Sequence, residues 1–421
     1  MAGRGGRAEG CRSGRWGRHD PRPGGHDCGG RPAGPVPRGA GVKVFVIAGE
    51  ASGDLLGAAV MDGLRQLVPD VCFVGVGGAE MTARGFSSLF PMDELSVMGL
   101  AEVLPRYPAL RRRMVETVDA VLAEKPDILL TIDSPDFCLR VAKRVRAVRM
   151  IRTVHYVAPS VWAWRAGRAQ KMARHVDQVL ALLPFEPPYM EAAGLRCDFV
   201  GHPIATQSEV SPARIAAFRS DHGLGDAPVL LVLPGSRQSE VARLAPIFGA
   251  ALRDICDTHP ELRPLVIAAP GRADQLAEAT ADWPQATSVL TPSDISEKQA
   301  AFAAADAALA ASGTVSLELA AARTPMVIAY TMSWLSWQIL SRMVRVDTVT
   351  LVNLIVGEKI VPEFLGPACR AKSIANAVGD LLDTPNGQTA ALTQTMEALG
   401  KGGEPPGLRA ARAILDGMKV S

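Results

Sequence analysis

The sequence predicts an α/β protein: two Rossmann-like domains facing a cleft, followed by a C-terminal helical tail. Three observations predict it. From Val42 onward, short apolar, β-branched runs alternate with longer helical patterns, the signature of parallel strands covered on both faces. Two such series occur, split near the stretch GHPIATQSEVSP, where Gly201 and Pro203 form a plausible hinge. The chain is 421 residues long, 48% hydrophobic and 21% charged, enough for more than one substantial core.

Taken in order, residues 1–40 come first and differ from the rest. They are rich in Gly, Arg and Pro and carry eight arginines against Glu9, Asp20 and Asp27, a net of +5. Without them the formal charge falls from +2 to −3, so the remainder is not basic. The composition predicts a disordered extension. No apolar core of a signal peptide precedes Gly41, and a lone aromatic among the arginines, Trp16, falls short of the interleaved aromatics that stacking on nucleic acid would use. Residues 41–203 hold the runs VKVFVIAG, DILLTID, IRTVHYV, QVLALLP and DFVGHP. Residues 204–370 begin with a polar linker and hold APVLLVLPG, LRPLVIAAP, AALAASG and PMVIAY. Residues 371–421 read as the closing helices.

Some function classes fall away at once. The longest alanine-rich apolar stretch contains Asp306 and Glu318 and belongs in a core, not a membrane. The seven cysteines are scattered without a C-x-x-C pair, which argues against a disulfide framework or structural zinc and for a reducing compartment.

Ligands of open α/β sheets sit beyond the carboxyl ends of the strands, so the residues following strands matter most. GEASGD (49–54) follows the first strand. It lacks the G-x-G-x-x-G spacing of a dinucleotide loop. Ser52 or Asp54 could simply cap a helix, but capping leaves Glu50 unexplained. VGVGG (74–78) also lacks that spacing and is set aside. In DILLTIDSPDF, Asp133 ends a buried strand, and its two readings are a turn cap and a general base. Asp136 is a candidate helix cap. LPGSRQSEV and ASGTVSLEL repeat one device, an apolar strand, a small-residue turn and a helix. Gly235 and Ser236 would let backbone N–H groups approach an anion, with Arg237 adding charge. Ser312, Gly313 and Thr314 repeat that arrangement, and Glu318 lies one turn later, suited to ribose hydroxyls. The pair favours a nucleotide diphosphate. There is no P-loop, which disfavours phosphoryl transfer of that kind, and no D-x-D pair to hold a divalent metal against a diphosphate; no cofactor is expected. HYVAPSVWAWRAGR brings together His155, Trp162, Trp164, Arg165 and Arg168, for packing or for stacking a sugar. LSVMGLAEVLPRYPALRRR mixes Val97, Met98, Leu100, Val103 and Leu104 with a basic run. It could be a membrane-contact surface or a half-buried helix with a solvated face, with Pro105 and Pro108 breaking regular helix.

AGEASGDLLGA, VMGLAEVL, IDSPDF, HYVAPSVWAWR, LPFE, FVGHP, LPGSR, ASGT…LE and LVNL (351–354) occur in this order. In that order they resemble the lipid-A-disaccharide synthase family, from about Val42 to the C-terminus. The resemblance implies a GT-B fold and an inverting, metal-independent glycosyltransferase. Its donor would be UDP-2,3-diacylglucosamine and its acceptor 2,3-diacylglucosamine 1-phosphate (lipid X). The product would be a β-1,6 disaccharide, with no nucleic-acid partner, at the cytoplasmic face of the inner membrane. On matching positions it implies Asp133 as base, with Glu50 and Ser52 by the acceptor or reacting sugar. Gly235, Ser236, Arg237, Ser312, Gly313 and Thr314 would hold diphosphate, Glu318 ribose, and Asn353 would be a polar site residue. It also implies a homodimer exchanging C-terminal elements, and it adds weight to membrane contact by Val97–Leu104. A UDP-sugar epimerase, a transferase for another acceptor and a non-catalytic nucleotide-sugar-binding regulator are the competing readings.

Overall fold

The computed structural model describes residues 41–95, 100–161, 167–269, 271–284, 286–343 and 346–419, with the backbone alone given at 100–106, 335–336, 339–340 and 385–386. The expectation of a disordered extension over residues 1–40 lies outside the described residues, as do Trp162, Trp164 and Arg165.

Twelve strands are described: β1 (Lys43–Ala48), β2 (Cys72–Val76), β3 (Ile128–Ile132), β4 (Arg152–Tyr156), β5 (Gln178–Ala181), β6 (Arg196–Phe199), β7 (Val229–Leu233), β8 (Arg263–Ile267), β9 (Ser288–Leu290), β10 (Ala307–Ala311), β11 (Met326–Tyr330) and β12 (Glu363–Leu365). They form two six-stranded sheets, ordered β2-β1-β3-β4-β5-β6 and β12-β11-β10-β7-β8-β9. Every pairing is parallel, for example Val46 opposite Leu130 and Leu309 opposite Val232. This is the two-sheet α/β architecture of the GT-B fold.

The apolar runs are continuous because both faces of each sheet are covered. Val44, Val46, Ile128 and Leu130 pack under the helix Ala51–Leu67, while Phe45, Ile47 and Leu129 face the helices Leu100–Glu124 and Pro135–Val148. Each such Val, Ile or Leu contributes roughly 1.5–3 kcal/mol on burial. In the second sheet, Leu231 and Ile328 lie on the face toward the helix Val315–Ala322, and Val232 and Val327 toward Gln238–Thr258.

Three local expectations are corrected. The helix Leu100–Glu124 runs through Pro105 and Pro108. Each proline removes an N–H donor, but the inward row of Met114, Val118 and Val121 holds the helix on the sheet. β9 and β12 have no counterpart among the expected strands. Each is three residues long and lies at a sheet edge, too short for a period-2 pattern to register. The closing helices also part company. Ala371–Asp383 and Thr389–Ala398 pack against the second sheet's helices, whereas Pro406–Met418 returns to the first. It crosses Ala51–Leu67 at two glycines: a Cβ on Gly63 would lie 2.7 Å from the Gly407 carbonyl oxygen. Gln178 Nε2 donates to the Ala413 carbonyl at 2.9 Å, and Arg409 donates to that of Phe199 at 3.0 Å.

Candidate active site

In the first sheet, the turns after β1 and β3 bring Glu50, Ser52, Asp133 and Ser134 together. Asp133 and Ser134 both have left-handed φ, +52° and +39°. Two successive non-glycine residues in that region are uncommon, and strain of this kind clusters at functional sites. Hydrogen bonds hold the turn: Asp133 N–H donates to the Tyr156 carbonyl at 3.0 Å, and Ser134 N–H to Asp133 Oδ1 at 2.9 Å. Ser52 Oγ donates to Asp133 Oδ2 at 3.3 Å, and Ser134 Oγ donates to Glu50 Oε1 at 3.3 Å. Gly49 makes room for this crossing, since a Cβ there would meet Ser134 Oγ at 2.5 Å.

The capping expectations for this region do not hold. Glu50 is the N-cap of Ala51–Leu67, and Ser52 and Asp54 lie inside the helix. The buried Asp54 carboxylate instead accepts from the N–H groups of Gly78, Glu80 and Met81, at 2.8, 2.7 and 3.2 Å, and so caps the neighbouring helix. Asp136 caps nothing. Ser134 is the N-cap of Pro135–Val148, and Asp136 is exposed.

Burial, and then the negative charge of Asp133, hold the Glu50 carboxyl above its ordinary value of 4.5, opposed by the Ser134 hydroxyl. The folded state therefore binds this proton more tightly than the unfolded chain. The associated stability is fully present below pH 4.5 and is lost as pH rises through the folded value. Glu50→Gln is expected to unfold at higher denaturant than wild type at pH 7.5, with the advantage vanishing at pH 4. An equal difference at both pH values would assign the effect to packing. His155 lies beneath, its Nδ1 2.8 Å from Thr131 Oγ1. Burial foremost, then the charges of Arg168 and His175, push it down to about 3, so it is a neutral, packed imidazole at pH 7.

In the second sheet the carboxyl ends of β7, β8, β9 and β10 open on a cavity of about 680 Å3. Gly235, Ser236, Ser312, Gly313, Thr314 and Glu318 all line it, as the two strand–turn–helix motifs predict. Gly235 adopts φ +115°, and a Cβ there would meet Glu240. Two partners had no assignment in the sequence. Glu240 Oε2 accepts from the N–H groups of Ser236 and Arg237 at 3.2 and 3.3 Å, and its Oε1 accepts from Arg237 Nη1 at 3.2 Å. A carboxylate thus sits where an anion would bind. Glu240 lies at the third position of the helix Gln238–Thr258 and reaches back to the N-cap N–H, but Arg237 has no acceptor to complete a capping box, so no local pattern announces the contact. Glu318 pairs with Lys298 Nζ at 2.5 Å, a contact across twenty residues that no local pattern reveals.

Two sets of residues fall elsewhere. Asn353 is buried, with its amide donating to the Val361 carbonyl and Thr348 Oγ1 and accepting from Val361 N–H. All of its polar capacity described here braces the loop around Val361, and it does not line the cavity. Val97 and Met98 lie outside the described residues, and Leu100, Val103 and Leu104 fall where only the backbone of Leu100–Glu124 is given. Farther along that helix Tyr107, Arg111 and Arg112 are exposed, while Arg113 forms a two-bonded pair with Glu94. No helix among the described residues is long and apolar enough to cross a membrane, and no three His, Cys, Asp or Glu side chains among them converge on a metal site.

Two parallel sheets, with polar turns at the carboxyl ends of their strands, place the chain in the GT-B structural class. Solved structures share the fold at low identity. A putative UDP-N-acetylglucosamine 2-epimerase from Listeria monocytogenes aligns with TM-score 0.61 at 15% identity, over 90% of this chain and 96% of its own. Anabaena HepE in complex with UDP and glucose aligns with TM-score 0.54 at 14% identity, over 90% and 99%. The finer identification comes from the sequence. The family model described as lipid-A-disaccharide synthetase matches residues 44–402. The lipid-A-disaccharide synthase of Ruegeria pomeroyi is 60% identical over 92% of this chain and 99% of its own length, and that of Rhodospirillum centenum 48% identical over 89% and 94%. The chain belongs to the lipid-A-disaccharide synthase family and is a glycosyltransferase of lipid A biosynthesis.

Proposed function

We propose that this chain moves 2,3-diacylglucosamine from UDP-2,3-diacylglucosamine to the 6-hydroxyl of lipid X, giving the β-1,6 disaccharide 1-phosphate and UDP. The observation that carries the reading is the Asp133 carboxylate, held by Ser52 and Ser134 on a strained turn at the end of β3. Asp133 takes the hydroxyl proton as the oxygen attacks the anomeric carbon. The bond from that carbon to the β-phosphate oxygen breaks on the opposite face, which inverts the configuration. Negative charge then gathers on UDP. The N–H groups of Ser236 and Arg237 and the Arg237 guanidinium stabilise it once Glu240 has swung aside, without metal or cofactor. Gly235, Ser312, Gly313 and Thr314 shape the diphosphate cradle, and Glu318 turns from Lys298 to the ribose.

Both substrates are acylated, so the same reading places the enzyme peripherally on the cytoplasmic face of the inner membrane. Val97, Met98, Leu100, Val103 and Leu104 would touch lipid beside the exposed Arg111 and Arg112. A homodimer exchanging C-terminal elements completes it. The test is UDP release from the donor in detergent with EDTA, with and without lipid X. Release is expected only with lipid X and is expected to survive the chelator. Release without acceptor would point to hydrolysis or epimerase-like chemistry and overturn the reading. On anionic liposomes the protein is expected to float, and flotation unchanged after replacing Val97, Met98 and Leu100 with Ser would exclude that surface. A one-chain mass by sedimentation at working concentration would remove the dimer.

A further inference from the structure

We propose that Arg168 binds the 1-phosphate of the acceptor and so selects a phosphorylated sugar over its neutral analogue, an inference that rests on the acceptor reading above. Asp133 and Arg168 line one cavity of about 190 Å3, together with Pro135, Pro159 and Ser160. That volume is below the range of whole-ligand pockets, and it suits one corner of a larger substrate. The corner is electrically lopsided. Asp133, Glu50 and Asp136 surround the turn, and a phosphate approaching them meets like charge unless a cation receives it. Arg168 is the one cationic side chain among the described residues lining the cavity. Its guanidinium is free to change partner. Its ion pair with Asp136 is long, at 3.7 Å, and the Asp136 side chain is 93% exposed, so the pair is weak. A phosphate offers the fork-shaped guanidinium two parallel hydrogen bonds, which that distant carboxylate does not.

Two further observations point the same way. Pro135, the first residue of the helix Pro135–Val148, lies on the cavity wall, so the positive end of a fourteen-residue helix faces the same space. Val157, also on the wall, holds φ +80°, a costly conformation for a β-branched residue. That strained turn carries the chain from β4 into the Pro159–Ser160 loop opposite Asp133. The donor's diphosphate is provided for elsewhere, at Gly235, Ser236 and Thr314 in the second sheet's cavity. An acceptor held by its phosphate on Arg168 presents the far end of the same sugar ring, where the attacking hydroxyl lies, to the neighbouring Asp133.

The experiment is a comparison of Arg168→Ala, Arg168→Lys and wild type on lipid X and on 2,3-diacylglucosamine lacking the phosphate. Losing a charged hydrogen-bond donor predicts a KM for lipid X raised about 10- to 100-fold in Arg168→Ala, with kcat at saturation and donor KM little changed. Arg168→Lys is expected to recover part of the loss. On the neutral sugar, wild type and Arg168→Ala are expected to be equally poor. An equal loss on both acceptors would make Arg168 a structural support, and a raised donor KM with unchanged acceptor KM would assign it to the diphosphate; either overturns the proposal. Failure of the underlying reading looks different: wild type itself would then show no UDP release that depends on lipid X.

Discussion

Asp133→Asn is expected to lower turnover by about 10²–10⁴-fold while leaving UDP affinity unchanged, the range for losing a general base. Asparagine is the informative replacement. It is isosteric with aspartate and tolerates left-handed φ, so the turn at +52° survives. Its side-chain oxygen can still accept from Ser134 N–H, and Ser52 keeps a partner. What is lost is the capacity to take a proton at neutral pH. Asp133→Ala would confound this, because it removes the bond that holds the turn as well as the base. UDP binding is expected to hold because the cavity after β7 and β10 contains no residue from the first sheet. Single-turnover measurements with saturating donor and lipid X separate chemistry from binding. Turnover near the wild-type rate would remove Asp133 as the base.

The second large effect is on binding. Arg237→Ala is expected to weaken UDP affinity about 10- to 100-fold, the scale of one charge-assisted hydrogen bond to a phosphate. The melting temperature should barely move. The Arg237 side chain is 67% exposed and its ion pair with Glu240, three residues away, is a surface contact of small worth. Arg237 does not line the cavity in this state, because its guanidinium is turned to Glu240. The expectation therefore includes movement: diphosphate displaces the Glu240 carboxylate and draws the arginine inward. Calorimetric titration with UDP checks it, and an unchanged Kd would take Arg237 out of the diphosphate site.

Much of this was legible in the sequence because it depends on local chemistry. Continuous apolar runs such as VFVIA and VLLVL predict strands buried on both faces, and nine of the twelve strands announce themselves this way, with β2 marked only by the VGVGG stretch at its end. β9 and β12 did not, since three residues at an edge carry no period. The small-residue turns after β7 and β10 were visible for the same reason. A backbone that must open its N–H groups after a strand needs Gly, Ser or Thr, and it finds them at Gly235–Ser236 and Ser312–Thr314. Motif order carried the family itself.

What the sequence left open concerns pairs of side chains distant along the chain. Glu50 had no explanation until Ser134 and Asp133 were seen against it. Asp54 read as a cap for its own helix, and folding spends it on the next one. Asn353 read as a site residue, and its amide is spent on Val361 and Thr348. By itself the sequence determined the elements, the two-sheet class, the family and the positions where chemistry could sit. Only the tertiary structure decided which polar groups meet, and with them which are free for substrate. Hydrogen bonds and charge interactions act over a few ångströms of space whatever the separation along the chain, and the register of two sheets sets that distance.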